Sequence, residues 1–265
     1  MRSIVIVSIM FLFCTRIVFA ATAPVSVRLP DNKAWVGQRL PFFIELRAPG
    51  SFDGTANFDL PQLPGIIIIK IGSPVVSSEE IDDQSWFVQT HEFALFSQKP
   101  GVLKIPEFPV RYSSRTGFTG PASDIQGTFP DLSIDIQRPP DSEGIGFLVT
   151  TKSLKISEEW TPVPGPAEAG AIFKRTITQE ATELSGMALA PAPVSAPDGI
   201  KVYTADAVTK DTVERADFKG LRTDTITYQL IQAGNFNLPA VSYVWWNPET
   251  NKLESQTLPA VDFQV

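Results

Sequence analysis

Apolar residues in this chain recur at every second position, and that period decides most of what it can become. Val25, Val27 and Leu29 alternate, as do Leu40, Phe42, Ile44 and Leu46, and later Leu132, Ile134 and Ile136. A period of two puts each set on one face of a strand. Turn-forming clusters separate the runs, among them Ala48-Pro49-Gly50, Pro64-Gly65 and Lys99-Pro100-Gly101, at intervals suited to the short strands of a sandwich. With 23 prolines and 17 glycines, long helices have little room. The one helix-like stretch, Gln179 to Leu184, is too short to stand alone. Beyond the N-terminal region the most hydrophobic stretch is Gly65 to Ile71, which is strand-length and far short of a membrane helix.

The pattern also repeats. Gly37 and Gly170, Gly101 and Gly234, and Pro106 and Pro239 are each separated by 133 positions. The stretch Gly101-Val102-Leu103-Lys104-Ile105-Pro106 is echoed by Gly234-Asn235-Phe236-Asn237-Leu238-Pro239, and Gly65-Ile66 by Gly199-Ile200 one position out of register. A constant spacing across most of each half argues for a duplicated domain of about 115 to 120 residues, the size of an immunoglobulin-like sandwich. In each copy a glycine ends a hairpin, an alternating strand follows, and the proline marks an edge or bulge because it cannot donate to a ladder. The expected organisation is all-β: a signal peptide at 1–20, a first immunoglobulin-like β-sandwich at 21–138, a linker at 139–144 and a second sandwich at 145–265. The linker carries Pro139-Pro140 and restricts how the two copies are oriented.

The leader is read from Met1-Arg2, an apolar run from Ile4 to Phe13, and Val18-Phe19-Ala20 before a cut after Ala20. The run is too short to span a bilayer, so an uncleaved N-terminal anchor is only the alternative. Cys14 follows Phe11-Leu12-Phe13, whereas a lipidation site wants small residues there. Cleavage removes this single cysteine, which excludes disulfides, thiolate metal ligands and a cysteine nucleophile from the mature protein. It also removes Arg2 and Arg16 and no acid, leaving 20 basic against 29 acidic residues. Nucleic acid is therefore not expected as a partner. A periplasmic or otherwise exported location is expected, with no membrane span in the mature chain.

Beside this reading stands a resemblance. Trp35-Val36-Gly37-Gln38 with Gln98-Lys99-Pro100-Gly101 and Ile105-Pro106 form a first set. A sharper second set comprises Trp160, Gly170, Lys174-Arg175-Thr176-Ile177-Thr178, Gly199-Ile200-Lys201-Val202-Tyr203, Gly234, Leu238-Pro239-Ala240 and Trp245-Trp246. Together they make the chain similar to the BatD-like oxygen-tolerance (aerotolerance) family of exported proteins with tandem immunoglobulin-like domains. The chain departs from the family at Ala171 and at Asn247, where members often carry charge, and it reaches Val265 without the family's carboxy-terminal membrane helix. The resemblance implies a non-enzymatic role in stress or aerotolerance. It also implies a protein partner, a membrane protein with a von Willebrand A domain associated with a MoxR-type AAA+ ATPase.

No residue set points to catalysis, a metal or a cofactor. His91 is the only histidine, no serine stands in a nucleophile elbow, and zinc lacks ligands. The run Glu79-Glu80-Ile81-Asp82-Asp83 suits a solvated hairpin tip better than a calcium loop, for it lacks the glycine and the spaced acids. Trp245 and Trp246 are neighbours on one strand and must face opposite sides of the sheet. Val241, Tyr243 and Trp245 form the more apolar set, so Trp246 is expected outward as an interaction candidate, with Tyr203 a weaker one. The leading reading is an exported adaptor that presents sheet edges to a protein. The alternative is a carbohydrate-binding module that stacks sugars on Trp246, and a third, a hydrolase, would need acids converging in a deep pocket.

Overall fold

The computed structural model describes residues 23–116, 119–214 and 217–265. The expected leader and Cys14 lie outside them. The first ten strands are β1 (Val25–Arg28), β2 (Lys33–Trp35), β3 (Leu40–Ala48), β4 (Phe52–Phe58), β5 (Ile66–Ile81), β6 (Gln84–Ser97), β7 (Gly101–Ile105), β8 (Phe108–Arg115), β9 (Ala122–Phe129) and β10 (Leu132–Gln137). The second ten are β11 (Val149–Thr150), β12 (Leu154–Thr161), β13 (Ile172–Thr182), β14 (Ile200–Thr204), β15 (Val208–Glu214), β16 (Asp217–Leu230), β17 (Asn235–Leu238), β18 (Val241–Asn247), β19 (Lys252–Leu258) and β20 (Val261–Gln264). Of the helix-like stretch Gln179 to Leu184, Gln179 to Thr182 end β13 and the last two residues follow it; a short 3-10 turn, Gly186–Ala188, comes next. Among the described residues no helix is long and apolar enough to cross a membrane.

Alternation sets the burial of β3: Leu40, Phe42, Ile44, Leu46 and Ala48 all point into the core. The sheet β1-β3-β6-β5 lies against a second layer made of β4-β8-β9 and β2-β10-β7. β7 and β8 are one path bent at Pro106, and β9 and β10 one path bent at Pro130. This is the immunoglobulin arrangement, with four strands on one sheet and strands C (β4), F (β7 and β8) and G (β9 and β10) on the other. β2 runs parallel to β10 at its edge.

The second half repeats the plan. β12-β13-β16-β14 is the four-stranded sheet, with β15 also on β16, while β17-β20 and β18-β19 repeat the bent pair around Pro239. A parallel bridge from Pro166 to Gln264 stands where β2 meets β10. Gly37, Gly101, Gly170 and Gly234 all have positive φ, which explains why this residue recurs at the same places. Among the described residues, one strand of the first copy has no counterpart in the second. The first domain's β4 pairs with β8, but the positions 133 residues later, 185–191, hold the 3-10 turn and the start of a coil with Pro191, followed by Pro193 and Pro197. Prolines two apart remove donors from the same edge of a strand, so the coil cannot join a ladder there.

The halves are packed together. Ile66 and Ile68 of β5 lie on the first core, whereas Ile67, Ile69 and Ile71 join the second, with Ala94 and Phe96 of β6 beside them. Gly37 touches the incoming chain so closely that a Cβ there would stand 2.0 Å from the Leu148 carbonyl oxygen. Thr150 Oγ1 donates to the Val36 carbonyl at 2.7 Å, and the Gln98 side chain donates to the Leu148 carbonyl at 2.8 Å and accepts from its N–H at 3.1 Å. Arg39 pairs with Glu92 of its own domain and Glu183 of the other, with its guanidinium over the Phe218 ring.

Candidate functional site

Trp246 is not outward. Strand geometry does send the two tryptophans to opposite sides, but both sides are covered: Trp245 enters the second core and Trp246, 4% exposed, stands against Trp35 of the first domain at 6.0 Å between ring centres. The expectation of an exposed ring failed because the apolar face beyond β18 is the domain junction, which a strand read in isolation does not reveal. Trp246 therefore does not offer the outward ring on which the glycan-binding alternative relied. Tyr203 is 53% exposed on β14, its hydroxyl 3.5 Å from Gln229 Oε1. With the exposed Val208 and Val213 of β15 it marks the free side of the four-stranded sheet. The structure does not bring Tyr203 and Trp246 together.

His91 is buried on β6, with Nε2 2.8 Å from Gln89 Oε1 and its ring edge-on to Phe58. Burial first, and Lys70 second, lower its pKa to about 4. Its environment is that of a neutral packing residue. Asp82 and Asp83 form the β5–β6 turn with positive φ at both, as a two-residue hairpin requires, and Glu79 is paired with Arg47. No group of three potential metal-ligating side chains occurs among the described residues.

The polar chemistry that sequence reasoning missed lies inside the second sandwich. Arg175, 2% exposed on β13, holds Glu158 Oε2 at 2.8 Å, and Trp160 Nε1 donates to the same oxygen at 3.2 Å. Gln179 is buried four positions further along and donates to the Ala190 carbonyl at 2.6 Å. Asp224, on the facing strand β16, accepts from Arg222 at 2.8 and 2.9 Å and from the Ala192 N–H at 3.4 Å. These side chains fasten the proline-containing coil over the sheet. Two hollows open on either side of Pro193. One, about 310 Å³, is lined by Phe147, Gln179 and Tyr243, and the other, about 210 Å³, by Arg175, Tyr228 and Ser242. Tyr243 Oη and Gln179 Oε1 are buried without a hydrogen-bond partner, and burial pushes the tyrosine pKa up to about 12. The 133-residue offset was the signal that could have found this place, since it sets Pro191 and Pro193 where β4 and its flank should recur.

No family model matches the chain, and no curated protein does either. Among solved structures it is similar to the C-terminal domain of the Streptococcus agalactiae AgI/II polypeptide BspA, at 8% identity and a TM-score of 0.22, over 91% of this chain and 100% of that one. A second structure, titled BspA_C_WT, gives 8% and 0.21 over 89% and 96%. Likeness at these scores bears on neither family nor function.

Proposed function

We propose that this chain is an exported, non-enzymatic adaptor of the oxygen-tolerance type that binds a membrane protein bearing a von Willebrand A domain and works with a MoxR-type AAA+ system. The observation that carries the reading is an open sheet side offered by a stiff body. Tyr203, Val208 and Val213 stand exposed along β14 and β15, on a domain held to its neighbour through Gly37, Arg39 and Trp246. An unpaired strand edge supplies main-chain hydrogen bonds to a partner, and exposed aromatic and branched side chains supply specificity. Fixing the two domains in advance lowers the ordering cost of association.

In-cell crosslinking of the tagged full chain, followed by purification of the adducts, tests this. The expected product is an adduct with a membrane protein carrying a von Willebrand A domain, reduced by Tyr203→Ala. Recovery of no membrane protein overturns the reading.

A further inference from the structure

The two copies differ at one edge, and the difference defines a site. In the first domain, Phe58 and Asn57 of β4 pair with Val110 and Arg111 of β8. The 133-residue offset puts Tyr243 and Val244 of β18 at the places of Val110 and Arg111. Among the described residues, only β11 pairs with this side of β18, and it reaches Trp245 and Trp246 alone. β19 covers the opposite side throughout. An antiparallel strand directs half of its N–H and C=O groups to each edge, so Val241 to Val244 present main-chain groups to the side where strand C stands in the first copy. Beneath that edge run the two hollows about Pro193, and into the larger one point the unpartnered Tyr243 Oη and Gln179 Oε1. Phe147, 40% exposed, lines the larger hollow, and Val194, 48% exposed, lies between Pro193 and Ser195, which line the smaller.

We propose that the Val241–Val244 edge receives an extended segment of a partner protein, which completes the second sandwich as β4 completes the first. The proposal rests on the adaptor reading and names a surface for it distinct from the Tyr203 edge. The first domain shows the kind of occupant: β4 is an extended, proline-free run, Phe52-Asp53-Gly54-Thr55-Ala56-Asn57-Phe58, with Ala56 buried and Phe52 and Phe58 packed on the core. The corresponding stretch of the second copy, residues 185–191, does not form such a strand: it holds the 3-10 turn Gly186–Ala188 and ends at Pro191, with Pro193 just beyond, and these prolines withhold donors that a ladder needs. A donated strand pairs its main-chain N–H and C=O groups with the Val241–Val244 edge and turns its inward side chains toward the hollow lined by Tyr243 and Gln179.

Selection of phage-displayed random nonapeptides against the purified mature chain tests the site, with hydrogen exchange reporting where a selected peptide binds. The expected peptides lack internal proline, carry apolar residues at alternate positions and slow exchange of the Val241–Val244 amides. Combined Phe147→Asp and Val194→Asp substitution, both at exposed positions, weakens them about tenfold or more, while Tyr203→Ala leaves them unchanged. Three outcomes overturn the site: no peptide selected, protection confined to β14 and β15, or protection of Val241–Val244 by self-association without peptide. The second leaves the adaptor reading standing. Peptide protection at β18 together with failure of the in-cell adduct keeps the site and removes the named partner.

Discussion

Alanine at Gly37 and at Gly170 should separate backbone strain from domain docking. The two glycines occupy the same place in their copies, with φ of 76° and 96°. A Cβ on Gly170 meets nothing within 4 Å, so its cost is the strain of a side chain in a sparsely populated backbone region, about 1–3 kcal/mol. A Cβ on Gly37 carries that strain and also stands 2.0 Å from the Leu148 oxygen, where ordinary C···O contact begins near roughly 3.3 Å. The segment from Leu148 to Thr150 must retreat by about 1 Å, enough to break four bonds: Thr150 to Val36 and Gly37, and the Gln98 pair on Leu148. At about 1 kcal/mol each, the junction adds about 3–4 kcal/mol beyond the strain. Each kcal/mol moves the melting temperature of a chain this size by roughly 2–4 °C, so Gly37→Ala should melt roughly 10 °C below Gly170→Ala. Calorimetry on both variants reads the difference, and amide exchange at Leu148 to Thr151 should rise only in the first. Equal melting temperatures would refute a tightly docked junction.

Trp246→Ala should cost about 3–5 kcal/mol in urea unfolding, as a buried aromatic does, while Tyr203→Ala stays within about 0.5 kcal/mol of the parent. Because the folded pKa of His91 is near 4 and the unfolded value near 6.5, its contribution is complete above pH 6.5 and is lost as pH falls toward 4, about 3 kcal/mol in all. His91→Gln should flatten the stability profile between pH 5 and 6.5, which unfolding titrations at fixed pH will read. Arg175→Met should destabilise the second domain by about 3 kcal/mol by leaving the partly buried Glu158 carboxylate with only the Trp160 N–H, and adding Glu158→Gln should restore part of it; chemical denaturation of both variants checks the order.

The all-β sandwich class was legible because most core strands bury one face. Alternation in β3 and β10 and the glycines at a fixed offset need only local rules, and those rules hold along both copies. What was not legible lies where two surfaces meet. The run Ile66 to Ile71 breaks alternation because its isoleucines turn alternately to the two domains, Ile66 and Ile68 to the first core and Ile67, Ile69 and Ile71 to the second, with only Lys70 exposed. The same junction covers Trp246. Choosing the outward member of a tryptophan pair from the polarity of its own strand assumes water on the far side, and here the far side is Trp35.

The missing strand and the polar interior of the second copy have one cause. Shifted by 133 positions, the inward residues of β3 become those of β13: Leu40 becomes Phe173, Ile44 becomes Ile177 and Ala48 becomes Ala181, but Phe42 becomes Arg175 and Leu46 becomes Gln179. On the facing strand, Gln89 and His91 become Arg222 and Asp224, and each pair is hydrogen-bonded along its own strand. A sandwich whose strand C is in place can fill these positions with hydrocarbon, as the first does. Where a proline-containing coil lies instead, its carbonyl and N–H groups have no ladder to join, and buried main-chain groups without partners cost about 1–3 kcal/mol each. Gln179 and Asp224 meet that demand at Ala190 and Ala192. The exchange satisfies the coil but not β18, whose Val241–Val244 edge keeps main-chain groups directed at the space a strand would occupy.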